Sequence, residues 1–161
     1  MPEAPIGALR PSILERLTGE PRKRPRRTGR TMTEIKQDVA RSLMWLLNTR
    51  IHVPAAWNRF EEARASVLTY GVPDFSTSSW SSREDREELA RAFQSAIRKF
   101  EPRLVSRTVD VEVHESDDIE HFSIRFEIRA WLQVDPLPSE EVVFDSDLDV
   151  LSGNIDVRMA L

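Results

Sequence analysis

The sequence predicts an α+β fold, with N-terminal helices packed on one face of a three- to four-stranded, mainly antiparallel sheet. Two observations carry the class. Apolar residues recur at three- and four-residue spacing from Ile35 to Leu47 and again from Leu89 to Phe100. From Phe122 to Val134 they alternate without a break. A third observation places the border between the two halves. Within Phe93–Val113, FQSAIRKFEPRLVSRTVDVEV, a helical pattern runs into Glu101-Pro102-Arg103 and a strand pattern runs out.

The 161 residues suit one domain. A chain of this size buries roughly 70% of its unfolded surface, so it needs no covalent staple. There is no cysteine, which excludes disulfides and thiolate metal sites and fits a reducing compartment. His52, His114 and His121 show no metal-ligand spacing. The longest strongly apolar run is Leu43–Leu47, too short to span a bilayer, and the N-terminus has no signal-peptide core. A soluble, cytoplasm-facing protein is the expectation. Residues 1–31 carry eight Lys/Arg against three Glu, a net +5, which leaves −9 on the remaining 130 residues. A basic arm on an acidic body bears on partners rather than on fold.

Residues 1–31 read as a flexible arm, and 32–161 as the folded domain. Within the arm, Ser12 and Glu15 have capping-box spacing and Gly19 suits a stop, so a short helix is expected at 12–18. Arg22–Arg30, RKRPRRTGR, is basic and broken by Pro and Gly. It reads as a solvated linker, or as an electrostatic contact with an acidic surface, phospholipid or nucleic acid. Nucleic acid is the weaker option, because no aromatics are interleaved for base stacking. Thr33–Asn48 is a helix with Thr31 and Glu34 as its capping box, burying Ile35, Val39, Leu43, Leu46 and Leu47. A loop with Pro54, Trp57 and Phe60 follows. Ala63–Tyr70 reads as a short helix, capped by Gly71 and kept from restarting by Pro73. Phe75 is expected to tuck inward. Ser81 or Ser82 caps the next helix, whose first turns are acidic and whose stripe is Leu89, Phe93, Ile97 and Phe100. Pro102 ends it.

Val105–Val113 then reads as a half-buried strand, Ser116–Asp118 as a turn and Phe122–Val134 as a long second strand. Its polar face carries Ser123, Arg125, Glu127, Arg129 and Trp131. Val142–Val150 is a third strand. Gly153-Asn154 turns into a fourth, Ile155–Met159. Which strand lies at the sheet edge is not readable at this level.

Four segments together resemble a known family. They are PSILERL at Pro11–Leu17, LLNTR at Leu46–Arg50, SVLTYGVPDFS at Ser66–Ser76 and AIRKFEPRL at Ala96–Leu104. They look like the baseplate wedge subunit of bacterial type VI secretion systems, the TssE family, whose phage relatives carry a historical lysozyme-like label. The resemblance implies a non-catalytic building block of a six-fold baseplate, cytoplasmic and docked at the inner-membrane complex. The implied partners are the other wedge subunits (TssF, TssG and TssK) and tail-sheath subunits, with no small-molecule substrate and no cofactor. It also implies a strand-bearing half similar to the handshake domain through which sheath subunits clasp one another. The family's Glu-Pro-Arg motif maps onto Glu101, Pro102 and Arg103 as protein-binding residues. The loop at 51–59 and the basic run are not explained by it.

Without the resemblance, Arg103 is read as bonding the last helix carbonyls and Glu101 as solvated. With it, the two side chains are expected to project outward to a partner. A desolvated Arg fork there is worth roughly 2–5 kcal/mol on truncation, against about 0–1 for a surface pair. Arg103→Ala is then expected to leave the fold intact. Sheet edges are expected to accept an added strand from a sheath subunit. Trp131 is either a contact anchor or covered by the chain's own loop. Two other functions compete with this reading. Glycoside hydrolysis needs two carboxylates about 5–10 Å apart, one with a raised pKa in a cleft, and no pair is singled out. There is no GxSxG elbow, and five glycines form no phosphate cradle. A nucleic-acid or membrane module would rest on the basic arm alone.

Overall fold

Thr31 and Glu34 close their capping box. Glu34 N donates to Thr31 Oγ1 (3.3 Å) and Thr31 N donates to Glu34 Oε2 (2.9 Å), which starts helix α1, Met32–Asn48. The computed structural model describes residues 31–52, 59–75, 82–114, 123–135 and 138–160. The expected helix at 12–18, the run Arg22–Arg30, Trp57, Ser81 and the turn at Ser116–Asp118 lie outside them. All five expected apolar residues of α1 are buried. Ser82 caps a second long helix, α3 (Arg83–Phe100), with Glu84 and Asp85 in its first turn and Arg98 and Lys99 in its last. Charge therefore complements the helix dipole at both ends.

The segment between the two helices departs from expectation. Ala63–Tyr70 is not one helix. A five-residue helix, α2 (Glu61–Ala65), stops where the Ser66 hydroxyl donates to Ala63 O (2.7 Å) and accepts from Leu68 N (3.3 Å). A single 3₁₀ turn, Val67–Thr69, follows. A serine that bonds its own backbone competes with helix propagation. Gly71 is not a helix cap either. It lies between that turn and strand β2 (Val72–Pro73), which pairs in parallel with β1 (Arg50–Ile51). Its φ is +128°, and a Cβ there would sit 2.3 Å from Thr49 O. The glycine lets Val72 N reach Thr49 O at 2.9 Å. Pro73 belongs to β2 and does not act as a helix stop.

After Pro102 the chain does not enter a strand at Val105. A 3₁₀ turn at Ser106–Thr108 comes first, because both hydroxyls are engaged. Ser106 Oγ donates to Arg98 O (3.0 Å) and Thr108 Oγ1 donates to Val105 O (2.7 Å). The strands are β3 (Asp110–His114), β4 (Ser123–Leu132), β5 (Glu140–Asp149) and β6 (Ile155–Met159). They form one antiparallel sheet in the order β3-β4-β5-β6. β4 and β5 pair over ten residues, from Ser123↔Asp149 to Leu132↔Glu140. The alternation of β4 is fully realised, with Ile124, Phe126, Ile128, Ala130 and Leu132 buried.

Both long helices cover the same sheet face, α1 over β6 and α3 over β3. The core lies between. Phe93 from α3 meets Phe126 from β4 at 5.1 Å between ring centroids, and Phe75 meets Phe93 edge-on at 6.3 Å. Phe75 is tucked inward as expected, and the Arg50 guanidinium stacks 3.9 Å above its ring. The other sheet face has no layer over it among the described residues.

Candidate docking surfaces

The junction forms because α3 can continue no further. Glu101 N still donates to Ile97 O (3.0 Å), but its backbone has left the helix at φ −113°, ψ 84°, as the following proline requires. Leu104 N then donates to Glu101 O (3.1 Å) and closes a turn. Glu101 and Arg103 flank Pro102, and their side chains face each other. Arg103 donates from Nε to Oε1 (2.7 Å) and from Nη2 to Oε2 (2.6 Å), a two-point fork. Arg103 N adds a bond to Oε1 (3.2 Å). Arg103 Nη2 also donates to Ser42 Oγ (2.8 Å), which in turn donates to Asp38 O within α1 (3.0 Å).

This differs from the reading of the residues alone, because Glu101 is 3% exposed and therefore not solvated. Arg103 serves Glu101 and α1 rather than the carbonyls of α3. Its side chain keeps 29% of its surface, and Pro102 is exposed beside it. What a partner can touch here is therefore the proline and the outer edge of the guanidinium. Tyr70 lies close by, edge-on to Phe100 at 5.3 Å. Burial first, and then the charge of Glu101, hold its phenol above the ordinary tyrosine pKa.

The sheet supplies two further surfaces. Ala160 N donates to Val143 O and Asp149 N to Asn154 O, so even-numbered residues of the last strand face β5. Ile155, Val157 and Met159 therefore turn their backbone groups outward. Asn48 at the end of α1 closes the first of these. Its Nδ2 donates to Ile155 O (2.7 Å) and its Oδ1 accepts from Ile155 N (2.9 Å). Val157 and Met159 remain as an edge. At the opposite side, Val109 O accepts from Gln94 Nε2 (3.0 Å) and Arg98 Nη2 (2.8 Å), so α3 closes the start of β3. By the same alternation Val111 and Val113 present the next edge groups. Along that edge runs a groove of about 400 Å³, lined by Arg86, Ala90, Gln94, Val111 and Val113 among others. Trp131 is 45% exposed on the uncovered sheet face, so no described loop covers it. Sequence reasoning missed Asn48 and Ser42 as partners. Asn48 at a helix exit was visible, but its reach to β6 was not.

Among the described residues, the sheet has an outward backbone edge on each side and is backed by two helices linked through Glu101, Arg103 and Ser42. The family model described as baseplate wedge protein gp25 matches residues 33–137, and the chain belongs to that family. The matched span runs from α1 to just past β4. No curated protein and no solved structure matches the chain. Among the described residues no helix is long and apolar enough to cross a membrane.

Proposed function

We propose that this chain is a structural, non-catalytic subunit of a type VI secretion baseplate. In this reading it is cytoplasmic, sits in the wedge beside TssF, TssG and TssK at the inner-membrane complex, and helps start the first ring of tail sheath. Membership of the baseplate wedge family is the observation that carries the reading. The resemblance of four sequence segments to the type VI branch narrows it.

The geometry suggests how the work divides. Pro102 and the exposed edge of Arg103 are the wedge contact, and Glu101 holds Arg103 in place for it. The outer edges of β3 and β6 accept an extended arm of a sheath subunit, with main-chain bonds supplying affinity and alternate side chains fixing register. The test is co-purification with the wedge subunits, wild type against Glu101→Leu/Arg103→Met, a pair chosen to leave no buried charge behind. Capture of the wild type and loss of capture by a folded variant is the expected result. No capture of the wild type by any wedge subunit would sink the assembly reading, and equal capture of both would free the junction from it. Hydrogen exchange with sheath subunits should protect Val111 and Val113, or Val157 and Met159. Peptidoglycan turnover by the pure protein, lost on substituting one carboxylate, would restore the enzyme reading.

A further inference from the structure

The uncovered face of the sheet carries far more acid than base. Asp110 and Glu112 on β3, Glu127 on β4, Glu141, Asp145, Asp147 and Asp149 on β5, and Asp156 on β6 occupy its outward positions. Arg125, Arg129 and Arg158 are the cationic residues at those positions. Three cross-strand neighbours are oppositely charged, Asp110↔Arg129, Arg125↔Asp147 and Asp145↔Arg158, and three are like-charged, Glu112↔Glu127, Glu127↔Asp145 and Asp147↔Asp156. Like charges directly opposite one another disfavour the sheet. Arg129 spans the first of the like-charged pairs, pairing with Glu127 and lying 3.6 Å from Glu112. Arg125 reaches Asp147 at 3.3 Å, and Arg158 turns back to Asp156 on its own strand. Asp145 and Glu141 have no ion-pair partner among the described residues. The excess of negative charge thus lies on β5 and β6, mostly beyond the residues the family model matches. Beside it are half-buried Val143 and the exposed ring of Trp131.

The chain carries the complement. Arg22–Arg30 holds six Lys/Arg and no acid, and it ends at Thr31, the cap of α1. The start of α1 is fixed next to β5, where Lys36 Nζ pairs with Glu140 Oε1 at 2.6 Å. α1 lies over β6, the outer strand on that side. A path from Thr31 to the open face therefore rounds one strand edge and crosses one layer, about 10 Å. Nine extended residues span about 30 Å. Tethering also gives the run an effective concentration on the order of millimolar at this face, which a free cationic partner would have to exceed.

We propose that the Arg22–Arg30 run folds back over the β5–β6 side of the open sheet face, against Asp145, Asp147 and Asp156. The arm adds cations to a face on which eight acids stand against three arginines, and it covers Trp131 and Val143 while it is seated. This goes beyond the assembly reading and does not depend on it.

The absence of cysteine makes the test direct. Thr28→Cys in the full chain is labelled with a nitroxide, and paramagnetic broadening of backbone amides is recorded at low salt and at 1 M NaCl. Screening over about 3 Å at 1 M salt removes a contact of this kind. The expected result is strong, local loss of peak intensity at Val143–Asp149 and Asp156–Arg158 at low salt, largely recovered at 1 M. Asp145→Lys/Asp147→Lys should recover it at low salt with the other cross-peaks unmoved. Broadening spread evenly over the domain, or centred on α3, overturns the proposal. So does broadening that appears only when labelled chain is mixed with isotope-enriched, unlabelled chain, because the occupant is then a second copy. Unchanged local broadening at 1 M salt overturns the electrostatic basis.

Discussion

Breaking one side of the Glu101–Arg103 pair should cost far more than removing both. Arg103→Met takes away both arms of the fork and leaves a carboxylate 3% exposed with only the Arg103 backbone N–H still bonded to it. Removing one partner of a buried ion pair costs about 3–5 kcal/mol. Arg103 keeps 29% of its side-chain surface, so water can reach the gap, and the lower end, about 3 kcal/mol, applies here. Glu101→Leu removes the buried charge itself. The guanidinium it leaves has Ser42 Oγ and solvent, and the cost should be about 1 kcal/mol. Glu101→Leu/Arg103→Met has neither charge and similar volume, and should fall within about 1 kcal/mol of wild type. The assay is urea unfolding followed by circular dichroism on all four proteins. For a chain of this size, 3 kcal/mol also lowers Tm by about 6–12 °C. The coupling energy should be at least about 2 kcal/mol; additivity within about 0.5 kcal/mol would refute the buried-pair argument. The same reasoning replaces the expectation that Arg103→Ala leaves the fold untouched: an assembly defect in that variant would mix lost contact with lost stability.

Gly71→Ala should destabilise by about 2–4 kcal/mol, from a positive φ combined with a Cβ 2.3 Å from Thr49 O, and thermal unfolding reads it directly. Asn48→Ala removes both side-chain bonds to Ile155 and should cost about 2 kcal/mol, with the Ile155 amide exchanging faster while those of β4 stay protected. Tyr70 gives a pH signature. Its phenol titrates above the ordinary value when folded, so the unfolded chain loses its proton first as pH rises. Stability should fall as pH climbs past about 10, the unfolded tyrosine value, and level off above the folded one. Tyr70→Phe should flatten that part of the profile; an unchanged slope would assign it to lysines.

What was legible in sequence is what depends on neighbours along the chain. Helix α1 announces itself by Thr31, Glu34 and a five-residue apolar face, and β4 by seven alternating positions, because both signals repeat. A two-residue parallel pair such as β1–β2 has no period to read, so Gly71 reads as a helix cap although its task is to admit Thr49 O. The 3₁₀ turn at Ser106–Thr108 hid within valines that alternate well enough to pass for strand, and only its hydroxyls mark it. The ion pair is not legible in the sequence, because it depends on the turn that Leu104 N closes onto Glu101 O, and that turn brings the two side chains together. Nor is the bond from Arg103 to Ser42, 61 residues earlier in the chain.

The two ends of the sheet are closed by side chains of the helices, and this decides where a strand can add. Asn48 of α1 occupies the first outward position of β6, and Gln94 and Arg98 of α3 occupy the one that precedes β3. Among the described residues, each edge is therefore shortened from the helix side and left open over two outward residues. An incoming strand would be held in register by those stops, because sliding past either would leave its own backbone groups facing a side chain already bonded. The helices thus act on the edges as well as on the core. The Glu101–Arg103–Ser42 link fixes the two helices relative to each other, and with them the positions of both stops. A loosened link should then appear at the edges before it appears in the core, as faster exchange at Ile155 in Arg103→Met while Phe126 and Phe144 stay protected.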